Sequence, residues 1–546
     1  MTARRLRAPA TDGGLLAEPP LATAGDEAVA NAARLSAWDY DVQGRRVSRL
    51  RAQIRREIID LARGFLSRHG LDAGSNGPES LSGADPPLIV TGHQPELFHP
   101  GVWVKNFAAS AVAGACGGLA LNLIVDNDIP KSASIRVPRI QGGRIGTVAV
   151  DFDQWPGEIP FEDWKVRDES LFATFGDRAR EALAGAVADP LLDDYWPRAL
   201  RRRGEVDTPG LRFALARREI EESWGISNLE LPLGAVCQSE GFLWFASHLI
   251  AQLPRYQEVH NTCLAEYRAA HRIRSRHHPV AALARRDDWL EAPFWVWRAR
   301  QPRRRALLAR RRARVVELRI DGEDEVLMEL PLTPDGEACC AVERLRDLPA
   351  RAIRLRTRAL TTTMFSRFLL GDLFIHGIGG AKYDELGNEI SRRFFNFEPP
   401  SFLTLSLTLW LGLQADPATP VELAAVERQL RDLTFNPDRY LDEPDLEEPR
   451  ILINGRREAI GRPVTSRRER IARGMAIRRY NDVLQPWVET LRAELVRRKA
   501  CLLAGLRSNR IAHNREFAIV LHSTQRLRRD LLEVANGIDS TSVTRL

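Results

Sequence analysis

The passage from Leu88 to Asp128 constrains the fold more than any other part of the chain. Leu88-Ile89-Val90 is a short apolar run suited to a buried strand, and it breaks at Thr91-Gly92. After His93-Gln94-Pro95-Glu96-Leu97-Phe98-His99-Pro100-Gly101, the Ala-rich stretch from Val102 to Ala115 favours helix until Gly117-Gly118 ends it. Leu119 to Val125 reads as a second buried strand, closed by Asp126-Asn127-Asp128. A strand–helix–strand unit implies parallel strands joined by a right-handed crossover. Ligands of such sheets sit outside the carboxyl ends of the strands. His93 and Asp126 each follow a strand directly, so both are expected on that edge.

The remainder of the 546 residues is arranged around this α/β unit. Residues 1–35, rich in Ala, Gly, Pro and Arg and without periodicity, read as a flexible arm. Val47, Leu50, Ile54, Ile58, Leu61 and Phe65 mark an amphipathic helix, and Asp72 to Pro87 a polar linker. Ser134–Ile140 and Ile145–Asp151 predict a hairpin, and Leu231–Val236 a return to the sheet. The core is expected over residues 36–410, with insertions at about 155–225 and 272–355. The first insertion reads as helical. In the second, Arg303 to Leu332 reads as a hairpin. A second strand–loop–helix runs from Asp372-Leu373-Phe374-Ile375 through His376-Gly377-Ile378-Gly379-Gly380 into a helix opening at Ala381. Residues 411–546 are expected to form antiparallel helices with a dimerising face.

Composition excludes several classes. A hydrophobic fraction of 44% with 28% charged residues belongs to a core-forming chain, not a disordered one. No run approaches the roughly 18 apolar residues of a membrane helix, and no apolar segment follows the basic start, so a soluble, cytoplasmic protein is expected. Six cysteines without a CxxC pair read as reduced thiols, and no metal site is expected. The net charge of +7 is mostly an arginine habit: of 79 basic residues only Lys105, Lys131, Lys165, Lys382 and Lys499 are lysine. The arginine runs at 201–203, 303–305 and 310–312 therefore read as solvated faces, with nucleic acid an unfavoured partner.

Three clusters carry chemistry. His93, Gln94, His99 and Lys105, beside a helix N-terminus, suit a phosphate or carboxylate, or else tie down their loop. In Asp126-Asn127-Asp128, with Lys131 following, a carboxylate suits a general base or an oxygen ligand of a hydrated cation, or else the segment is an Asx-rich turn before Pro130. His376, Gly377, Gly379, Gly380, Lys382 and Tyr383 place backbone amides where a phosphate can approach, or form a close-packed turn. The pattern is no known nucleotide fingerprint, although a nucleotide is compatible with it. Three of the five lysines fall in these clusters, which favours an anionic small-molecule substrate.

Thr91-Gly92-His93-Gln94-Pro95-Glu96-Leu97, and the later Phe374-Ile375-His376-Gly377-Ile378-Gly379-Gly380-Ala381-Lys382-Tyr383 followed by Glu398-Pro399-Pro400, resemble the bacillithiol biosynthesis cysteine-adding enzymes, the BshC family. His93 stands where that family usually has Gln, and Glu96 replaces its motif glycine. His93-Gln94-Pro95, Gly101, Lys105, Asp126 and Lys131 are also similar to the WbqC-like proteins, which are connected with sugar pathways. The resemblance implies a Rossmann-like parallel-sheet core, inserted connecting segments and a C-terminal coiled-coil-like region that forms a homodimer. It implies a ligase or transferase that makes a C–N bond between an amino acid, cysteine in the namesake, and the amine of a sugar-derived acceptor. His93, His99 and Lys105 would then hold an anionic group, Asp126 or Asp128 would deprotonate the acceptor, and Gly377–Lys382 would bind phosphate or carboxylate. The alternative is a non-catalytic dimeric scaffold or ligand-binding protein that keeps the fold.

Overall fold

The computed structural model describes residues 6–72, 86–275, 277–333, 336–441 and 447–542. Its central sheet is built from β1 (Leu15–Glu18), β2 (Leu88–His93), β3 (Leu119–Ile124), β4 (Leu229–Pro232), β5 (Leu373–His376) and β6 (Leu403–Leu407). The spatial order is β1-β6-β5-β2-β3-β4. All neighbours are parallel except β1, which runs antiparallel to β6. Leu88 pairs with Leu119 and His93 with Ile124, so β2 and β3 end level with each other.

Because every inner strand is buried on both faces, alternate side chains feed two separate cores. Val90, Leu121, Leu123 and Phe374 pack with Leu50, Ile54 and Ile58 of helix α2 (Val47–Arg68). Ile89, Ala120, Leu373 and Ile375 pack with Trp103, Val104 and Phe107 of helix α3 (Pro100–Ala115). The chain leaves β2 through α3 towards β3. It leaves β5 in the opposite direction, through α5 (Ile378–Phe394) towards β6. The sheet order therefore reverses between β2 and β5, and such a reversal opens a crevice at the carboxyl ends of the strands.

The hairpin of Ser134–Gln141 with Arg144–Asp151 forms as expected, and the first insertion is helical, ending in α4 (Pro209–Ser223). Other expectations need correction. The segment read as a flexible arm is structured from β1 onwards. β1 supplies backbone pairing along the edge of β6, and α1 (Ala24–Ser36) buries Ala24, Ala28, Asn31 and Leu35. Backbone pairing and small residues leave little apolar periodicity, and Asn31 is held instead by two hydrogen bonds of 3.0 Å with the backbone of Ser401. Residues 73–85 of the expected linker lie outside the described residues. The strand expected at Leu231–Val236 stops at Pro232, and Leu233–Val236 turns into a short helix.

The second insertion holds much more than a hairpin. Its strands Trp289–Arg298, Gln301–Arg311, Val315–Ile320, Met328–Pro331 and Ile353–Thr357 form an antiparallel sheet, with Ile353–Thr357 closing the edge beside Trp289–Arg298. The C-terminal region is helical as read: α6 (Pro420–Phe435) packs on the 46-residue α7 (Arg467–Ala512) through Val426, Leu433, Val488 and Leu495. The last helix, α8 (Thr524–Ser542), returns to the core, where Leu527 and Leu531 join the cluster around α3. No helix among the described residues is long and apolar enough to cross a membrane.

Candidate functional site

A cavity of about 310 Å³ lies where the carboxyl ends of β2 and β3 face the inserted sheet. Gln94 and Asn127-Asp128 enter it from the two strand ends, and Trp295 and Arg304 from the inserted sheet. Tyr256 and His260 come from the helix Leu253–Ala270, and the segment from Thr357 to Thr362 closes the wall. Asp128, whose side chain is 36% exposed, accepts from Gln94 Nε2 at 2.9 Å and from Arg304 Nη1 at 2.8 Å. Its Oδ1 also accepts from the Ile129 amide at 2.9 Å. Asn127 donates to the Thr357 carbonyl at 2.9 Å, which locks the end of β3 to the end of the inserted sheet. Burial holds His260 well below its usual value, at about 4, so this imidazole is neutral in the wall.

Of the residues expected to do chemistry, Gln94, Asn127 and Asp128 line this cavity and the others do not. Asp126 turns away and accepts from the Gly234 amide at 2.8 Å. Burial, and then the charge of Glu162, raise its pKa to about 7 against the pull of Arg356. His93 is buried against Phe98, with Nδ1 3.0 Å from the Gln94 carbonyl, and its Nε2 has no hydrogen-bond partner among the described residues. Burial, then Lys105 and Arg217, hold this histidine well below its usual value. His99 accepts from the Gly101 amide at 3.1 Å and so caps α3. Lys105 is buried, donates to the Gly92 carbonyl at 2.8 Å and has its pKa lowered by burial to about 7. Lys131 is exposed.

The expected glycine loop is shorter than read, because helix α5 starts at Ile378 with Gly377 as its N-cap. Gly379 and Gly380 therefore lie in its first turn, where a side chain added to Gly379 meets nothing within 4 Å. Lys382 is half-buried, and the side chain of Tyr383 lies outside the described residues. His376 is buried and clamped by Asp384, which also accepts from Arg367 at 3.0 Å. Burial alone would raise the Asp384 carboxyl, but His376 and Arg367 outweigh it and hold it at about 2. A Cβ at Gly380 would lie 2.6 Å from His376 Nδ1. Gly→Ala inside a helix ordinarily stabilises by up to about 1 kcal/mol. Gly380→Ala is expected to lower the melting temperature instead, since the clamped ring has nowhere to go. A higher melting temperature for this variant would show the ring to be free to move.

The residues that sequence reasoning missed are those of the second insertion. Arg304 belongs to a run that reads as a solvated face, and only the strand alternation of Gln301–Arg311 separates it from its neighbours. Arg358 and Thr362 follow a strand that was not anticipated, so no local pattern marked them. Among the described residues no group of three or more His, Cys, Asp or Glu is placed to hold a metal ion. The chain matches no protein-family model, and no curated protein matches it.

Proposed function

We propose that the chain is an enzyme of the cysteine-adding kind, built on a Rossmann-like core, that joins an amino acid to the amine of a small sugar-derived acceptor. The carrying observation is the convergence of Gln94, Asn127 and Asp128 with Arg304 around one cavity at the carboxyl edge of the sheet. In this reading the amine attacks the acyl carbon of the amino acid and forms the C–N bond. The amino acid enters as a phosphate-activated acyl donor, so the C–O bond to the phosphate breaks with its electron pair on the departing phosphate oxygen, and the amine's proton passes to Asp128. Gln94 and Arg304 hold the carboxylate in place for that transfer. Gly377 and Gly379 at the start of α5, on the same sheet edge and with nothing within 4 Å of an added Cβ, are compatible with a phosphate-bearing acyl donor.

A thermal-shift screen of amino acids, amino sugars and nucleotides tests the reading, because a ligand that binds only the folded state raises the melting temperature. An amino sugar is expected to stabilise the wild type. Asp128→Asn is expected to weaken that response by about tenfold to a hundredfold, the range for losing a hydrogen bond to a charged group. An unchanged response in Asp128→Asn, or no response to any amine, sinks the reading.

A further inference from the structure

The inserted sheet brings two arginines onto one aromatic ring. The Arg358 guanidinium lies 4.0 Å from the Trp295 ring centroid and that of Arg304 lies 5.2 Å from it. Each guanidinium carries five N–H donors in a flat fork. Arg358 spends Nη2 on Glu291 at 2.6 Å, and its buried Nε has no hydrogen-bond partner among the described residues. Arg304 spends Nη1 on Asp128 and, at 3.3 Å, on the Asn127 carbonyl. Both carboxylates have other donors as well: Glu291 accepts from the Ala284 amide at 2.8 Å, and Asp128 from Gln94 and Ile129. Burial depresses the Arg358 pKa and the Arg304 charge adds to this, against the pull of Glu291. Both guanidiniums thus line one partly dry cavity wall, with N–H groups to spare.

Stacking on an aromatic face fixes the plane of a guanidinium and leaves its edge to meet a flat or tetrahedral anion with two parallel bonds. The neighbouring wall is apolar, formed by Val125, Leu283, Pro293 and Leu360. We infer that Arg304 and Arg358, stacked on Trp295, form a clamp for one carboxylate or phosphate ester whose apolar part lies against Val125, Leu283 and Leu360. The inference rests on the reading of this cavity as the ligand site. It moves the anion grip away from His93, His99 and Lys105, which face other surroundings. An anion in this cavity offsets the charge of both guanidiniums that line it, which gives the clamp a preference for charge over shape.

Titration calorimetry of the full chain with benzoate, phenyl phosphate and neutral benzamide tests the clamp. At least one anion is expected to bind, and benzamide at least tenfold more weakly. Tighter benzoate identifies a carboxylate ligand, and tighter phenyl phosphate a phosphate ester. Arg358→Gln is expected to weaken the bound anion by at least tenfold. Trp295→Phe, which keeps a smaller ring under the fork, is read in the same way if Arg358→Gln does not fold. The clamp is overturned if neither anion binds, if benzamide binds as tightly as the anions, or if the folded variants bind like the wild type. An unchanged anion affinity in Arg358→Gln together with an Asp128-dependent response to amines removes the clamp and leaves the proposed condensation standing. The opposite pattern removes the condensation alone.

Discussion

Replacing Asp372 with alanine is expected to destabilise the fold by about 3–5 kcal/mol, the usual cost of removing one partner of a buried ion pair. Only 3% of the Asp372 side chain is exposed. It accepts from Arg51 and, at 2.7 Å, from Arg55, both on α2. It also accepts from the Leu88 amide at 2.7 Å, at the start of β2. One carboxylate therefore pins a helix to the two central strands at the amino edge of the sheet, opposite the cavity. Its loss removes the carboxylate that both guanidiniums share. Arg51 still bonds the Phe368 and Gly371 carbonyls at 3.1 Å, and Arg55 the Leu370 carbonyl at 3.2 Å, so the lower half of the range is expected. Asp372→Asn keeps an acceptor for Leu88 and is expected to fall between wild type and alanine. Urea unfolding midpoints at a constant slope read the difference directly. A loss for Asp372→Ala below about 1 kcal/mol, the value of an exposed pair, would show that water reaches these arginines.

The central sheet was legible because strands buried on both faces are apolar at most positions. Leu88–Val90, Leu119–Ile124 and Leu373–Ile375 announce themselves without help from distant residues. The edge that carries the cavity followed from the same runs, since chain direction alone places Gln94, Asn127 and Asp128 at strand ends. Side-chain roles were less legible. Scarcity of lysine picked out Lys105, Lys131 and Lys382 by position. Lys105, however, is spent on the Gly92 carbonyl, Lys131 is exposed on the surface, and none of the three lines the cavity. His99 and His376 are taken up by a helix cap and a buried carboxylate, contacts that depend on a neighbouring turn and on Asp384. Arg304 and Arg358 were hidden for the opposite reason. An arginine in an arginine-rich chain carries no local signal, and only the pairing of strands within the second insertion brings both of them to Trp295.

The largest loss of all is expected from Arg217→Met, and it should depend on pH. Arg217 is buried in α4, with Nη1 2.8 Å from Glu221 Oε1 and 2.7 Å from Glu230 Oε1, and Nη2 3.0 Å from Glu230 Oε2. Trp103 and Asn106 of α3 donate to Glu221, and Asn122 of β3 donates to Glu230 at 3.0 Å. The arginine thus joins α4, β4 and the β2–α3–β3 unit behind the site. Burial already raises the Glu230 pKa, the Glu221 charge adds to this, and Arg217 is the main opposing charge. Methionine keeps most of the apolar stem but leaves two carboxylates facing each other in the core, so a loss of at least about 3–5 kcal/mol is expected near neutral pH. Without Arg217 the folded-state carboxyl pKa rises further above the unfolded value near 4.5. A raised folded pKa means that the folded state binds protons more tightly than the unfolded chain. Stability is then greatest at low pH and falls as pH rises through the folded pKa. The stability deficit of Arg217→Met is therefore expected to shrink as the pH is lowered from 8, because protonation of one carboxyl removes the repulsion. Adding Glu221→Gln should restore part of the stability at pH 8 and flatten the profile. A deficit that stays constant as the pH is lowered would place the loss in packing around the methionine instead of in the unpaired carboxylates.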